Sequence, residues 1–539
     1  MKFINITNNK NLLVLIVLIP FLLIRFKYLN FVPFWDGSCY FSGLLQSIDQ
    51  NSLYGFNIEH FNVHNHPSML YLLYLSLGQY FDFGNQILLN LQITLLSVIS
   101  LIFFYRILNF FFKDSILENV LCTILLSINP LFVSASINLN LDFPILLFFI
   151  CFFYGLIYQN KTVLIISSFF MIFTNFSGIF FLGVTFLFFA IIYFFSKYPL
   201  KFRIRRAILV LLIPIASICL YNIRKYLMEG AFWKEGWIDS DKNALNSLIF
   251  NFNLVRARFV QIFILNYQWV PSLFILAFAI YFLFVRKVEK QKHSVLTEKN
   301  VYLFLMIFQF ILLLLIYSKY QTFTNPRYIL PSIFFTTFFF YYSIVRFFKN
   351  RRIITISILF FVILLFTIQN FISFDPISSW IYGTFKFGNK HLYKMTSITN
   401  EGMGIGGRDQ LVYNTQYTII NKLVDKLYLK LNDEGTDFLI THNEDGNFFL
   451  FSKYDINSKK RTFRSNDFII PNVSTISDIN KLISNGQTPD ASRIYYINLP
   501  WISNLKSDRN LMKFNIDTSD ELFVEEDGYK LSYFRIILD

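Results

Sequence analysis

Charge is what this chain has least of: 15% of its 539 residues are Asp, Glu, Lys or Arg, where soluble globular proteins average about 25%. An ordinary cytosolic enzyme is therefore excluded. Cysteine is nearly as scarce. Cys39, Cys122, Cys151 and Cys219 form no CxxC pair, and three of them lie inside apolar runs, so neither a disulfide framework nor a zinc site follows. There is no Walker sequence, and no GxGxxG follows a strand, which removes the soluble-nucleotide motifs. No small-residue cleavage site follows the apolar run from Leu12 to Ile24. Arg25-Phe26-Lys27-Tyr28 comes next, and the run reads as a retained first span rather than a signal peptide. Internal repeats are also missing.

Aromatic residues are abundant, with 69 Phe, 31 Tyr and 6 Trp making one residue in five. The charge is unevenly divided. Residues 1–371 carry 29 Lys/Arg and 13 Asp/Glu, whereas residues 372–539 carry 19 and 21. The first part is expected to be a membrane domain and the second a soluble α/β domain. The net charge of +14 does not point to nucleic acid, because the basic residues sit in short clusters between apolar runs, where they report topology.

A helix needs about 20 apolar residues to cross the hydrocarbon core. Eleven runs qualify as candidates: 11–30, 86–108, 117–137, 141–158, 162–177, 178–196, 207–223, 261–285, 301–317, 328–346 and 353–371. The run 66–81 is short and opens on a proline. If it lies along the outer surface, one side of the membrane collects 19 basic residues against four acidic ones. The positive-inside rule then puts the N-terminus in the cytoplasm and residues 372–539 outside. Outer loops fall at 31–85 and 224–260, with shorter ones at 138–142 and 318–327. Asp36, Asp49, Glu59, Asp142, Glu229, Glu235, Asp239 and Asp241 all lie on that face, so any chemistry is expected there.

In the last third, Leu411, Val412, Ile419, Ile420, Leu423, Val424, Leu427 and Leu431 have helical spacing. Short β-rich runs follow at 438–440, 448–451, 468–470, 494–497, 522–524 and 533–538, with a hairpin turn signal at Glu525-Glu526-Asp527-Gly528. The glycine-rich 403–407 segment reads as a tether.

Three outer segments carry candidate chemistry. Phe34-Trp35-Asp36-Gly37 places a carboxylate at the membrane surface, which is expensive without a partner or a role; a solvated loop aspartate beside a turn glycine is the plainer alternative. Downstream, His60, His64 and His66 could ligate a divalent metal or serve as interfacial polar residues. Asn138-Leu139-Asn140-Leu141-Asp142-Phe143-Pro144 offers a second carboxylate, which is expected to cap the helix begun at Pro144 and still face outward. Lys319 and Arg327, in the segment leading to Tyr328, are basic residues on the face depleted of them. They read either as snorkelling side chains or as a phosphate clamp.

In this order the motifs resemble the GT-C fold of polyprenyl-phosphate-sugar-dependent glycosyltransferases, in particular the protein-mannosyltransferase and aminoarabinose-transferase-like branch (glycosyltransferase family 39-like). The likeness rests on Asp36 after the first span, Asn65-His66-Pro67-Ser68-Met69-Leu70-Tyr71, Leu141-Asp142-Phe143-Pro144 and Arg327-Tyr328-Ile329-Leu330-Pro331, and covers about residues 1–346. Gly37 stands where many relatives have a second acid, Asn175 where many have lysine, and His66 where lipid-A-modifying relatives have a basic residue. The resemblance implies a multi-pass enzyme of the bacterial cytoplasmic membrane that moves a sugar from a polyprenyl-phosphate donor to a glycan, lipid or protein acceptor, with inversion. Asp36 would be the base, Arg327 with Lys319 and His66 would hold the donor phosphate, and Asp142 and Tyr328 would orient acceptor or sugar. No cofactor is required beyond a divalent metal at His60, His64 and His66, if one is used. A lipid-linked-glycan transporter or flippase, a glycan polymerase or ligase, and a non-enzymatic receptor are the competing readings. The transferase reading expects Asp36, Asp142 and Arg327 to meet in one outward cavity open to lipid.

Overall fold

In the computed structural model, the described residues are 10–31, 33, 36–49, 69–197, 199–229, 252–282, 297–320, 326–349, 351–372 and 375–381. In the last third they are 422–423, 426–427, 429–431, 438–441, 453–455, 460–462, 472–486, 494–498, 508–517, 521–526 and 529–537. His60, His64 and His66, the expected strands at 448–451 and 468–470, and the 403–407 tether lie outside them.

Up to residue 372, the described residues are helical apart from short connections. In chain order come α1 (Lys10–Lys27), α2 (Asp36–Asp49), α3 (Met69–Phe81), α4 (Gln86–Phe111), α5 (Ile116–Ser127), α6 (Pro130–Ile137), α7 (Asp142–Ile157), α8 (Lys161–Ile172), α9 (Phe176–Phe195) and α10 (Leu200–Glu229). They are followed by α11 (Phe252–Phe263), α12 (Trp269–Ile280), α13 (Glu298–Tyr320), a 3-10 turn (Pro326–Ile329), α14 (Pro331–Phe347), α15 (Arg352–Ile372) and the short α16 (Pro376–Ile381). Nine of the eleven apolar runs fall mainly on a single helix each, whereas 117–137 and 261–285 are each divided between two. Among the described residues, five are long and apolar enough to span alone, within α4, α9, α10, α13 and α15. The pair α5 and α6, bent by 51°, makes a sixth candidate.

Asparagine side chains begin several of these helices. Asn85, Asn129, Asn160 and Asn175 cap α4, α6, α8 and α9 by accepting backbone N–H bonds through their side chains. Each thereby satisfies donors that would be costly to leave unpaired in a bilayer. Helix α7 has 16 residues, and α8 and α12 have 12 each. At 1.5 Å per residue these are about 18–24 Å long, against a hydrocarbon core of about 30 Å. Helix α3, from the ambiguous 66–81 run, has 13 residues.

Aromatic edges fill the centre. Phe149 of α7 packs on Phe181 of α9 and on Phe334 and Phe335 of α14, with ring centroids 4.6, 5.3 and 5.5 Å apart. Polar pins cross this core: Gln309 Nε2 donates to Thr185 Oγ1 at 2.8 Å, and Tyr341 Oη donates to Asn119 Oδ1 at 2.7 Å. Arg352 forks onto the buried Glu118. Near the end of α1, Arg25 is fully enclosed. Its Nε donates to Thr94 Oγ1 at 3.1 Å, and Nη2 donates to Asn90 O and Oδ1 at 3.1 and 3.2 Å. Asn90 Nδ2 in turn donates to Leu29 O and Phe31 O at 2.9 and 3.0 Å, fixing the segment that leads toward α2.

The last third is an α/β unit. Its strands are β1 (Phe438–Thr441), β2 (Lys453–Asp455), β3 (Lys460–Thr462), β4 (Asn472–Thr475), β5 (Ile494–Asn498), β6 (Asn515–Ile516), β7 (Leu522–Glu526) and β8 (Tyr529–Ile537). The main sheet has the order β4-β1-β5-β8-β6, with β7 also on β8. β1 is parallel to β4 and β5, and β8 is antiparallel to its neighbours. Strand alternation sorts the two faces. Tyr495, Ile497, Leu531 and Tyr533 are buried with Leu423, Leu427 and Leu431; Ile494, Tyr496, Phe534 and Ile536 are buried with Ile476 and Ile479 of α17 (Ile476–Ser484). The expected hairpin is present, with Glu526 paired to Tyr529.

Candidate functional site

The site is assembled from helix ends that are far apart in sequence. Helix α2 begins at Asp36. Immediately after it, Gly37 lies so close to the α6–α7 connection that a Cβ there would stand 2.4 Å from Leu139 O and 2.8 Å from Asn138 Oδ1. Only glycine permits this approach. The same connection ends at Asp142, so the backbone of Asp36 and the second carboxylate are built onto one loop. The absence of an acid at position 37 is thus a packing requirement here.

Asp142 does not cap its helix, contrary to the expectation from Pro144. Asn140 does so instead, its Oδ1 accepting from Asp142 N at 3.1 Å and Phe143 N at 2.7 Å. The physical reason is position: Asn140 precedes the first helical residue and its carbonyl oxygen reaches back over the first turn, whereas Asp142 is already in that turn. Its carboxylate is directed elsewhere. Arg327 Nε stands 3.4 Å from Asp142 Oδ2, and Asn175 Nδ2 donates to Asp142 Oδ1 at 3.2 Å. Arg327 and Asp142 are 5% and 8% exposed, so this is a buried ion pair.

Arg327 is held within its own 3-10 turn. Its Nη2 donates to Tyr328 Oη at 3.2 Å, and its guanidinium carbon is 5.1 Å from the centroid of the Tyr328 ring. Asn175 occupies the α8–α9 turn, where its Oδ1 also accepts from Ser177 N at 3.2 Å. The neighbouring Phe173 O accepts from Leu70 N at 3.3 Å, which brings the start of α3 to the same turn. His66, four residues upstream of Leu70, lies outside the described residues. Lys319 belongs to the last turn of α13, and that helix packs against the 3-10 turn of Arg327.

Composition and spacing did not single out Arg258. It lies on α11, is 1% exposed, and donates from Nη1 to Gln261 Oε1 at 2.9 Å. Helix α11 packs against the Pro326–Ile329 turn, so the helix that carries this second buried guanidinium adjoins the arginine side of the site. The available signal was an arginine in the apolar half of an amphipathic helix, Phe252–Phe263, inside what reads from sequence as a long outer loop. Among the described residues, no group of three His, Cys, Asp or Glu could hold a metal ion.

No protein-family model matches the chain, and no curated protein sequence matches it. The folded chain, however, is similar to solved structures of ArnT from Cupriavidus metallidurans. Over 97% of each chain, the TM-score is 0.51 for ArnT bound to undecaprenyl phosphate and 0.53 for its apo state, both at 12% identity. The protein therefore has the GT-C membrane fold that its motifs anticipated, with a C-terminal α/β unit following the helical part.

Proposed function

We propose that this protein is an inverting glycosyltransferase that takes a sugar from a polyprenyl-phosphate donor and delivers it to a glycan, lipid or protein acceptor at the outer face of the cytoplasmic membrane. The observation that carries the reading is the buried Asp142–Arg327 pair, built on the same loop against which Gly37, the neighbour of Asp36, is packed. A base and a phosphate-holding cation at the membrane surface are what the reaction needs. The solved ArnT bound to undecaprenyl phosphate supports the choice of a polyprenyl lipid.

In the proposed step, the acceptor hydroxyl or amine attacks the anomeric carbon while its proton passes to Asp36. The bond between that carbon and the phosphate oxygen breaks, and the electron pair leaves with the polyprenyl phosphate. Arg327, with Arg258 beside its turn and Lys319 and His66 contributed by flanking segments, stabilises the negative charge of the leaving group. Asp142 keeps Arg327 oriented and, with Tyr328, presents polar atoms to sugar or acceptor hydroxyls.

Purified protein incubated with a panel of radiolabelled polyprenyl-phosphate sugars tests the reading. One or more donors should be consumed, and Asp36→Asn should abolish transfer without loss of fold. Near-wild-type transfer by that variant would remove Asp36 as the base.

A further inference from the structure

The catalytic reading makes no use of one buried carboxylate. Asp375 follows the last long helix, where the chain leaves α15 for the α/β unit, and it is fully enclosed. Its Oδ2 accepts from Tyr267 N at 3.0 Å and Ser378 Oγ at 2.5 Å, and its Oδ1 accepts from Trp269 Nε1 and Ile377 N, each at 3.2 Å. Four donors occupy the lone-pair directions of one carboxylate. Around it the ring closes: Asn266 N donates to Ser378 Oγ at 2.8 Å, Gln369 Nε2 to Asn266 Oδ1 at 3.0 Å, and Asp375 N to Gln369 Oε1 at 2.9 Å.

The loop gripped in this way is strained. Asn266 and Tyr267 have φ of 57° and 61°, a left-handed conformation that costs about 1–2 kcal/mol per non-glycine residue and persists only where the surroundings impose it. That loop ends α11. Gln261, Leu265 and Asn266 line a small cavity together with Leu131 of α6 and Ser332 at the start of α14, and Gln261 holds the Arg258 guanidinium. The carboxylate thus holds the loop that ends the helix carrying Arg258, and that helix packs against the Pro326–Ile329 turn of Arg327.

We infer that Asp375 is a positioning residue for the donor phosphate: it anchors the C-terminal end of α11, so that Arg258 is held against the Pro326–Ile329 turn. The inference rests on the donor-binding reading above and adds to it that the root of the α/β unit sets the geometry of the arginine side. Asp375→Asn is the informative change. It keeps the volume, but the amide offers one acceptor oxygen, and its NH2 faces two of the four donors.

The test uses the full-length purified protein and undecaprenyl phosphate as the probe. Arg258→Gln and Asp375→Asn should each weaken binding at least tenfold, and the double variant should bind no more weakly than Arg258→Gln alone, because both act through one guanidinium. A loss confined to Arg258→Gln, or losses that multiply in the double variant, overturns the inference. Amide exchange in α11 provides the second measurement. It should be at least tenfold faster in Asp375→Asn than in the parent, and equal rates also overturn the inference. If the parent itself fails to bind the lipid, the donor reading fails, and amide exchange still decides whether Asp375 anchors α11. Should Asp375→Asn not accumulate, Ser378→Ala removes one donor to Asp375 Oδ2 and the acceptor of Asn266 N, and is read by the same two measurements.

Discussion

Replacing Gly37 with alanine separates helix propensity from site geometry, because the two predict opposite signs. In an ordinary helix the change stabilises by about 0.5–1 kcal/mol. Here the new Cβ would stand 2.4 Å from Leu139 O, and an ordinary contact needs about 1 Å more. The obstructing atom is a backbone carbonyl beside the capped start of α7, so it is α2 that must move. Overpacking of this kind costs about 1–3 kcal/mol, which leaves a net destabilisation. A displacement of about 1 Å at a catalytic group lowers rates roughly a hundredfold, and Asp36 is the adjacent residue. Transfer by the Gly37→Ala protein should therefore fall about a hundredfold in a single-turnover assay, with undecaprenyl phosphate binding unchanged because Arg327 and Arg258 stay in place. A variant that melts higher and transfers as fast as the parent would refute the argument.

Arg327→Gln leaves Asp142 buried opposite a neutral group. It should lower stability by about 3–5 kcal/mol and transfer by about 10²–10³-fold, and adding Asp142→Asn should restore stability, read by thermal unfolding, without restoring turnover. Asn175→Ala removes both the α9 cap and the bond to Asp142; a loss of about 1 kcal/mol is expected from the cap, again by thermal unfolding. In the α/β unit, hydrogen bonding from Lys426, followed by the charges of Lys426 and Lys422, holds the Glu526 carboxyl below its usual range. Its stabilising contribution is therefore present above the usual carboxylate pKa and is lost as pH falls through the depressed one. The difference in melting temperature between the parent and Glu526→Gln should be small, because the lysine partners are exposed to solvent, and should vanish in acid.

The membrane helices were legible because long apolar runs dominate their segments. Their ends were not, because a hydropathy window passes over the asparagines at 129, 160 and 175, which begin helices by taking up backbone donors. The closing hairpin of the α/β unit was readable from Asp527-Gly528 between apolar strands, whereas β2, β3 and β6, of two or three residues, are too short to carry a period. Asp142 was identified as an outward carboxylate at the start of a span and Arg327 as a basic residue on the face depleted of them, and the structure brings them into contact. The choice between Asn140 and Asp142 as cap depended on where the helix actually starts. Arg258 and Asp375 stayed hidden because each acts through tertiary partners more than 60 residues away or across a loop, and Asp375-Pro376 alone resembles an ordinary helix start.

The enclosure of Arg25 has a consequence for biogenesis. Its acceptors Asn90 and Thr94 lie 65 and 69 residues further along the chain, and at 5–20 residues per second they are synthesised roughly 3–14 seconds later. During that interval the guanidinium sits near the end of an apolar segment without the helix that supplies its hydrogen-bond acceptors, and contact with interfacial water is what satisfies it. Arrival of the fourth helix dehydrates it and at the same time tethers the stretch that leads to the proposed base. The nascent first helix is thus committed to its final depth only when the ribosome has delivered its partner.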